Sequence, residues 1–204
     1  VGQDVRRARQ ARSTETMDRF LDSAERLLRT RSFHDIGVME IIEGAGRTVG
    51  SFYARFDDKY AVLRCLRERA EARVLATIDG WTVPPGATPA ETVDTFVRLL
   101  LRAYREMGPV YRATAAQACV DDDFRAHRQE VFRLAAARYA ETMLVHRARI
   151  GAPDPERSID LGFTLMVGLL DQRLLFGRLG VTSADDGELA GELQHMALAL
   201  LRID

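Results

Sequence analysis

The 204-residue chain contains no apolar stretch near the roughly 18 residues needed to cross a bilayer, and its arginine-rich start lacks the apolar core of a secretion signal. Its only two cysteines, Cys65 and Cys119, lie far apart and in no metal-like or CxxC spacing. They read as small buried hydrophobes and require no oxidising compartment. The four histidines, His34, His127, His146 and His195, are never four apart. HExxH, GxSxG and phosphate-loop patterns are absent too. No catalytic residue, metal ligand or cofactor is therefore expected, nor any membrane partner, and a cytoplasmic location follows by default.

What the chain has is material for a core. It is 47% hydrophobic, which argues against disorder, and its length permits a small domain joined to a larger one. The formal net charge of -1 excludes a generally basic nucleic-acid coat. Charge is nevertheless unevenly spread, because residues 1–75 carry 15 basic against 12 acidic side chains. The remainder is net acidic. The asymmetry is modest, and a polarised but ordinary soluble protein can show it.

Periodicity of 3.6 dominates, with no competing strand alternation. Residues 1–13 read as a flexible basic arm with Arg6, Arg7, Arg9 and Arg12. It could reach a minor groove, or simply solubilise the chain. Met17, Phe20, Leu21, Ala24, Leu27 and Leu28 then mark one helix face. A short helix over 36–43 is stopped by Gly44 and Gly46, and another fits 48–54 with Thr48 as N-cap. Asp57 or Asp58 caps a longer helix. After the Pro84–Pro89 break, helices are expected over 90–107, a short segment from Pro109, 121–149, 155–177 and 186–202. Gly177, Gly180 and the polar run Thr182–Gly187 separate the last two. The fold class is all-α, with about nine helices.

The stretch Ile36–Leu63, IGVMEIIEGAGRTVGSFYARFDDKYAVL, carries the most specific pattern. Ala45-Gly46 form a turn, Thr48 starts a short helix, and Gly50, Ser51, Phe52 and Tyr53 lie within it. Phe56 and Lys59-x-x-x-Leu63 follow. Gly46 supplies a left-handed or closely packed turn at no steric cost. Gly50 costs about 0.5–1 kcal/mol inside a helix relative to alanine. That cost implies either close approach of a binding partner or a tight helix–helix contact. Lys59 in a first helical turn suits a phosphate, or else is a surface lysine paired with Asp57 or Asp58.

Together these positions resemble the DNA-binding domain of the TetR family. The resemblance implies a helix-turn-helix over residues 14–65 and a helical regulatory and dimerisation domain over 66–204. It implies a sequence-specific transcriptional regulator, most readily a repressor released from DNA by a small molecule. A helical enzyme and a non-DNA-binding interaction protein are the alternatives. Implied DNA contacts are Arg47, Thr48, Gly50, Ser51, Tyr53, Arg55 and Lys59. Arg47 and Ser51 are expected to discriminate bases, and Tyr53 and Lys59 to hold phosphates. Ile36 and Gly37 stand where the family has two threonines, and Ile42 and Gly44 where it has alanines.

Beyond residue 75 the resemblance is architectural. It implies a homodimer on a palindromic double-stranded operator, with an interface from the last two helices. Leu161, Leu165, Gly168 and Gln172 form one candidate face, and Leu189, Leu193, Met196 and Leu200 the other. Burial within one chain would give the same pattern. A small apolar or aromatic effector is expected among Phe96, Tyr104, Tyr111, Gln117, Phe132 and Tyr139, each of which could equally be core.

Overall fold

The computed structural model describes residues 2–177 and 185–203, with side chains from Ser13 onward. Among the described residues there are eight α-helices, two 3₁₀ turns and no strand. They are α1 (Gly2–Leu28), a 3₁₀ turn (Phe33–Asp35), α2 (Val38–Ala45), α3 (Val49–Tyr53), α4 (Lys59–Asp79), α5 (Pro89–Ala118), α6 (Asp122–Leu144), a 3₁₀ turn (Arg147–Arg149), α7 (Pro155–Phe176) and α8 (Asp186–Leu201). Gly180 and Thr182 in the α7–α8 connection, and the side chains of Arg6, Arg7, Arg9 and Arg12, lie outside the described residues.

Two expectations are corrected. The backbone read as a flexible arm is helical from Gly2 and continuous with α1. Residues 3–12 contain no glycine or proline, and Ala, Arg and Gln favour helix there. The break expected before Pro109 is absent, because α5 runs through it. Gly108 precedes the proline and has no Cβ to meet its ring, which lowers the usual penalty on a helical residue before proline. Among the described residues, eight helices therefore stand where about nine were expected.

By its internal contacts the chain divides into two units. The first comprises residues up to Ala70 together with Pro109–Phe124. Its core holds Phe20, Leu21, Ile36, Ile41, Phe52, Phe56 and Leu66, and takes in Val110, Ala113 and Phe124 from α5 and α6. The segment Pro109–Phe124, assigned from sequence to the regulatory part, thus buries its apolar face with the N-terminal helices.

The second unit comprises Glu71–Gly108 and the chain from Arg125 onward. Trp81, Phe96, Tyr139 and Phe163 stack at its centre, with Met166, Leu170, Leu189 and Leu193 around them. Its helix starts are capped by side chains. Thr88 and Glu91 bond reciprocally at α5, Asp154 caps α7 just before Pro155, and Asp185 with Glu188 forms a capping box at α8.

Candidate nucleic-acid interface

α2 begins without a side-chain cap, because its N-cap is Gly37. Glu40 compensates by accepting the Gly37 N–H at 2.9 Å. The same carboxylate meets Arg31, and that hydrogen bond, followed by the one from Gly37, holds Glu40 below the usual carboxylate range. α2 ends at Gly46, whose φ of 61° and ψ of 42° are left-handed. A Cβ there would touch nothing, so the glycine serves the turn and not a close contact. Two residues earlier the reverse holds. A Cβ on Gly44 would fall 2.3 Å from Ser23 Oγ, so this glycine lets α2 lie against α1. Arg26 closes that contact by donating to the Gly44 carbonyl at 2.7 Å.

Thr48 caps α3, accepting the Ser51 N–H at 3.2 Å, and the Ser51 hydroxyl donates back to the Thr48 carbonyl at 2.8 Å. Phe52 turns inward at zero exposure and meets Phe20 edge-on at 5.4 Å and Phe56 at 5.2 Å. This aromatic trio seats α3 on α1. The opposite face of α3 is open. Tyr53 is 55% exposed, and its hydroxyl has no partner among the described residues. Gly50 is exposed, and an added Cβ would meet nothing within 4 Å. The tight helix–helix contact that sequence left open for Gly50 is thus absent among the described residues. Met39 on α2 and Val49 on α3 are also exposed. Sequence reasoning passed over both, although Met39 falls outside the Val38–Ile41–Ile42 stripe.

The cations are held less freely than sequence suggested. Arg47 turns toward Glu15 of α1, at 3.7 Å. Arg55 donates to the Ser51 carbonyl at 2.8 Å. Lys59 departs furthest from expectation: its ammonium donates to the carbonyls of Phe33, His34 and Ile36 at 3.1, 2.9 and 3.0 Å. In this arrangement it is not paired with Asp57 or Asp58.

A short helix presented by a glycine turn, seated by aromatics and open on one face, is a helix-turn-helix DNA-binding domain. Residues 20–66 match the family described as bacterial regulatory proteins, tetR family. The chain is 25% identical over 159 residues to the HTH-type transcriptional regulator EthR of Mycolicibacterium smegmatis, covering 78% of this chain and 72% of that one. It is 29% identical over 185 residues to an uncharacterized HTH-type transcriptional regulator of Mycobacterium tuberculosis, covering 89% and 85%. The fold is similar to a tetR-family bacterial regulatory protein from Rhodococcus RHA1, with TM-score 0.73, 13% identity and coverage of 93% and 98%. It is also similar to the MbdR regulator from Azoarcus sp. CIB, with TM-score 0.68, 15% identity and coverage of 93% and 98%. Residues 20–66 thus carry a TetR-family DNA-binding domain, and the chain is a DNA-binding transcriptional regulator. Members of this family act as dimers. No described helix is long and apolar enough to cross a membrane.

The residues expected at a dimer interface separate into two sets. Leu161 and Leu165 are 44% and 42% exposed on α7, Gly168 is exposed beside them, and Gln172 is half-buried. Leu189 and Leu193 of α8 are instead buried within their own unit, while Met196 and Leu200 are half-buried. The periodicity of α8 was correct, but its apolar stripe faces inward.

Of the six expected effector residues, four join the core of the second unit. Tyr111 and Gln117 fall in the first unit, and Phe96, Tyr104, Phe132 and Tyr139 in the second. Phe96 and Tyr139 pack ring to ring at 4.4 Å, which leaves them as core. Phe132 packs against Phe163 at 4.9 Å, and the Tyr104 hydroxyl donates to Asp171 at 2.7 Å. None of the six lines the groove of about 590 Å³ in this unit. Trp81, Leu99, Asp94, Arg98, Arg102 and Arg105 are among its walls.

Proposed function

We propose that the protein represses transcription in the cytoplasm by occupying a palindromic operator as a homodimer, and that a small effector releases it. The open face of α3 carries this reading. An exposed helix with an intrachain-unexplained glycine at 50 and a partnerless hydroxyl at Tyr53 suits a surface that meets DNA closely. Thr48, Gly50, Ser51 and Tyr53 lie against the duplex, and Arg47 and Arg55 exchange Glu15 and the Ser51 carbonyl for DNA. Met39 and Val49 add apolar contact of the kind thymine methyls accept. The exposed α7 face around Leu161, Leu165 and Gly168 meets a second copy, and two linked readers give a half-site pair the affinity that one lacks. Selection of bound duplexes from a random pool tests this. An enriched approximate palindrome is expected, and recovery of no enriched sequence at low salt overturns the reading.

The effector we infer has an apolar or aromatic body, and the charged walls of the second unit's groove support a polar group on it as well. The second unit's groove is within the roughly 300–1,000 Å³ typical of small-molecule sites. Arg98 and Arg105 along it are paired with Asp94 and Asp186, so Arg102 is the cation that complements an acidic group, while Trp81 and Leu99 suit an apolar one. Binding that differs between DNA-competent and incompetent states shifts the population off the operator. Thermal-shift screening with matched neutral and acidic aromatic compounds, followed by operator release, tests the pairing. Stabilisation and release by neutral compounds alone removes the arginine from the site.

A further inference from the structure

We propose that Lys59 is a positioning residue of the DNA-reading helices: its ammonium locks the backbone ahead of α2 to the start of α4 and makes no phosphate contact. The inference rests on the DNA-binding assignment and specifies how that domain holds its shape.

An ammonium has three N–H donors. Those of Lys59 are used by three carbonyls at 3.1, 2.9 and 3.0 Å. The Phe33 ring lies 5.0 Å away and the Tyr60 ring 5.9 Å, covering the charge with aromatic surface. No donor is left over for DNA. Arg31 donates to the carbonyl of Asp35, so every carbonyl from Phe33 to Ile36 is held by a cation.

The choice of residue type supports the same conclusion. Of 29 basic residues, 28 are arginine and Lys59 is the one lysine. Arginine makes phosphate contacts at least as well, through a planar fork. Three carbonyls converging on one point require a compact tetrahedral donor, and a guanidinium lacks that shape. The position is also unfavourable for a cation by itself, since a helix N-terminus carries partial positive charge. Three carbonyl dipoles offset this.

The lock acts on α2 because Ile36 immediately precedes the N-cap Gly37, which has no side chain to fix the helix start. Glu40 holds the Gly37 N–H and Lys59 holds the Ile36 carbonyl, so the first turn of α2 is tied from both sides. The angle at which α2 delivers the turn and α3 depends on that tie.

The test begins with the unmodified protein. Reductive methylation read by mass spectrometry of the Lys59 peptide should be far slower than in a urea-unfolded control. Adding a selected operator duplex should leave the rate unchanged. Rapid methylation of the free protein, whether or not DNA then protects the amine, overturns the proposal. This arm does not require DNA binding, so it separates failure of the lock from failure of the regulator assignment.

Lys59→Ala and Lys59→Arg provide the second arm. Both should lose about tenfold or more in affinity for the selected duplex. The log–log salt slope and the weak binding to a scrambled duplex should stay as in the parent. A phosphate contact gives the opposite pattern: Lys59→Ala lowers the slope by about 0.9 on both duplexes and Lys59→Arg restores it. That result overturns the proposal, as does unchanged operator affinity in both folded variants. If neither variant folds by circular dichroism, the methylation rates of the parent decide.

Discussion

Arg67 of α4 lies with its guanidinium 2.7 Å from the Asp123 carboxylate and 5.0 Å from the centre of the Phe124 ring. The arginine side chain is 7% exposed and the carboxylate 57%, so a buried cation reaches the surface to find its partner. The pair fastens α4 to the start of α6 within the first unit. Removing the guanidinium takes away a charge-assisted bond and a ring contact, but solvent already screens the carboxylate. Arg67→Ala should therefore cost about 1–2 kcal/mol, read as a lower midpoint in urea unfolding. Asp123→Asn should cost less than that. Equal stability of the parent and Arg67→Ala would show that the pair contributes nothing.

Gly50 separates folding from function. A Cβ at this position meets nothing within 4 Å among the described residues, and alanine is favoured over glycine in helices by about 0.5–1 kcal/mol. Gly50→Ala should accordingly raise the melting temperature while weakening operator binding. Fluorescence anisotropy beside a thermal melt checks both. A variant that binds as tightly as the parent would place DNA away from this residue.

At Gly44 the expected effect has the opposite sign. Alanine would bring its Cβ to 2.3 Å from Ser23 Oγ, an overpacking that costs about 1–3 kcal/mol. Ser23 Oγ is buried without a hydrogen bond, so Ser23→Ala alone should be neutral or stabilising. The double variant should recover part of the loss, because the two residues share one contact. Additive losses in chemical denaturation would argue that the clash is relieved elsewhere.

The two leucine sets on α7 and α8 should respond differently to charge. Leu165→Asp introduces a charge on an exposed face and should give a folded monomer with poor operator affinity. Leu193→Asp buries an unpaired charge and should unfold the second unit. Sedimentation velocity with circular dichroism distinguishes these outcomes. A dimeric Leu165→Asp protein would exclude that face from the interface.

His146 should impose a pH dependence on stability. Its Nε2 lies 2.8 Å from the buried Thr92 hydroxyl. Burial first, then the Arg149 charge, lowers its pKa below the ordinary 6.5. A depressed imidazole is protonated more in the unfolded chain than in the folded one, so its contribution is complete above 6.5 and declines as pH falls toward the folded value. Melting temperatures from about pH 8 to about pH 5 should show that decline, and His146→Gln should flatten it. An identical decline in the variant would assign it to other groups.

Much of the DNA-reading motif was legible because its signals are local. Gly46 needs a backbone conformation that other residues resist, Thr48 caps the helix that follows it, and Phe52 and Phe56 fall on the inward phase. The all-helical class followed equally from 3.6-residue periodicity. Pro109 misled because its effect depends on the neighbouring Gly108. The arm misled because arginine content was read as solvation, although arginine also favours helix.

The pocket and interface residues were less legible, since periodicity gives the phase of a helix and not the neighbour that its apolar stripe meets. Leu193 and Leu165 look alike along the chain, yet one is 1% exposed and the other 42%. Lys59 shows the same limit in polar form. By itself the sequence determined an all-helical chain with a glycine turn, a capped short helix and aromatic anchors, because bonding and sterics within a few residues dictate these. Only the tertiary structure decided that the lysine's three donors go to Phe33, His34 and Ile36, because those carbonyls converge more than twenty residues away and a charge takes the partners that folding brings to it.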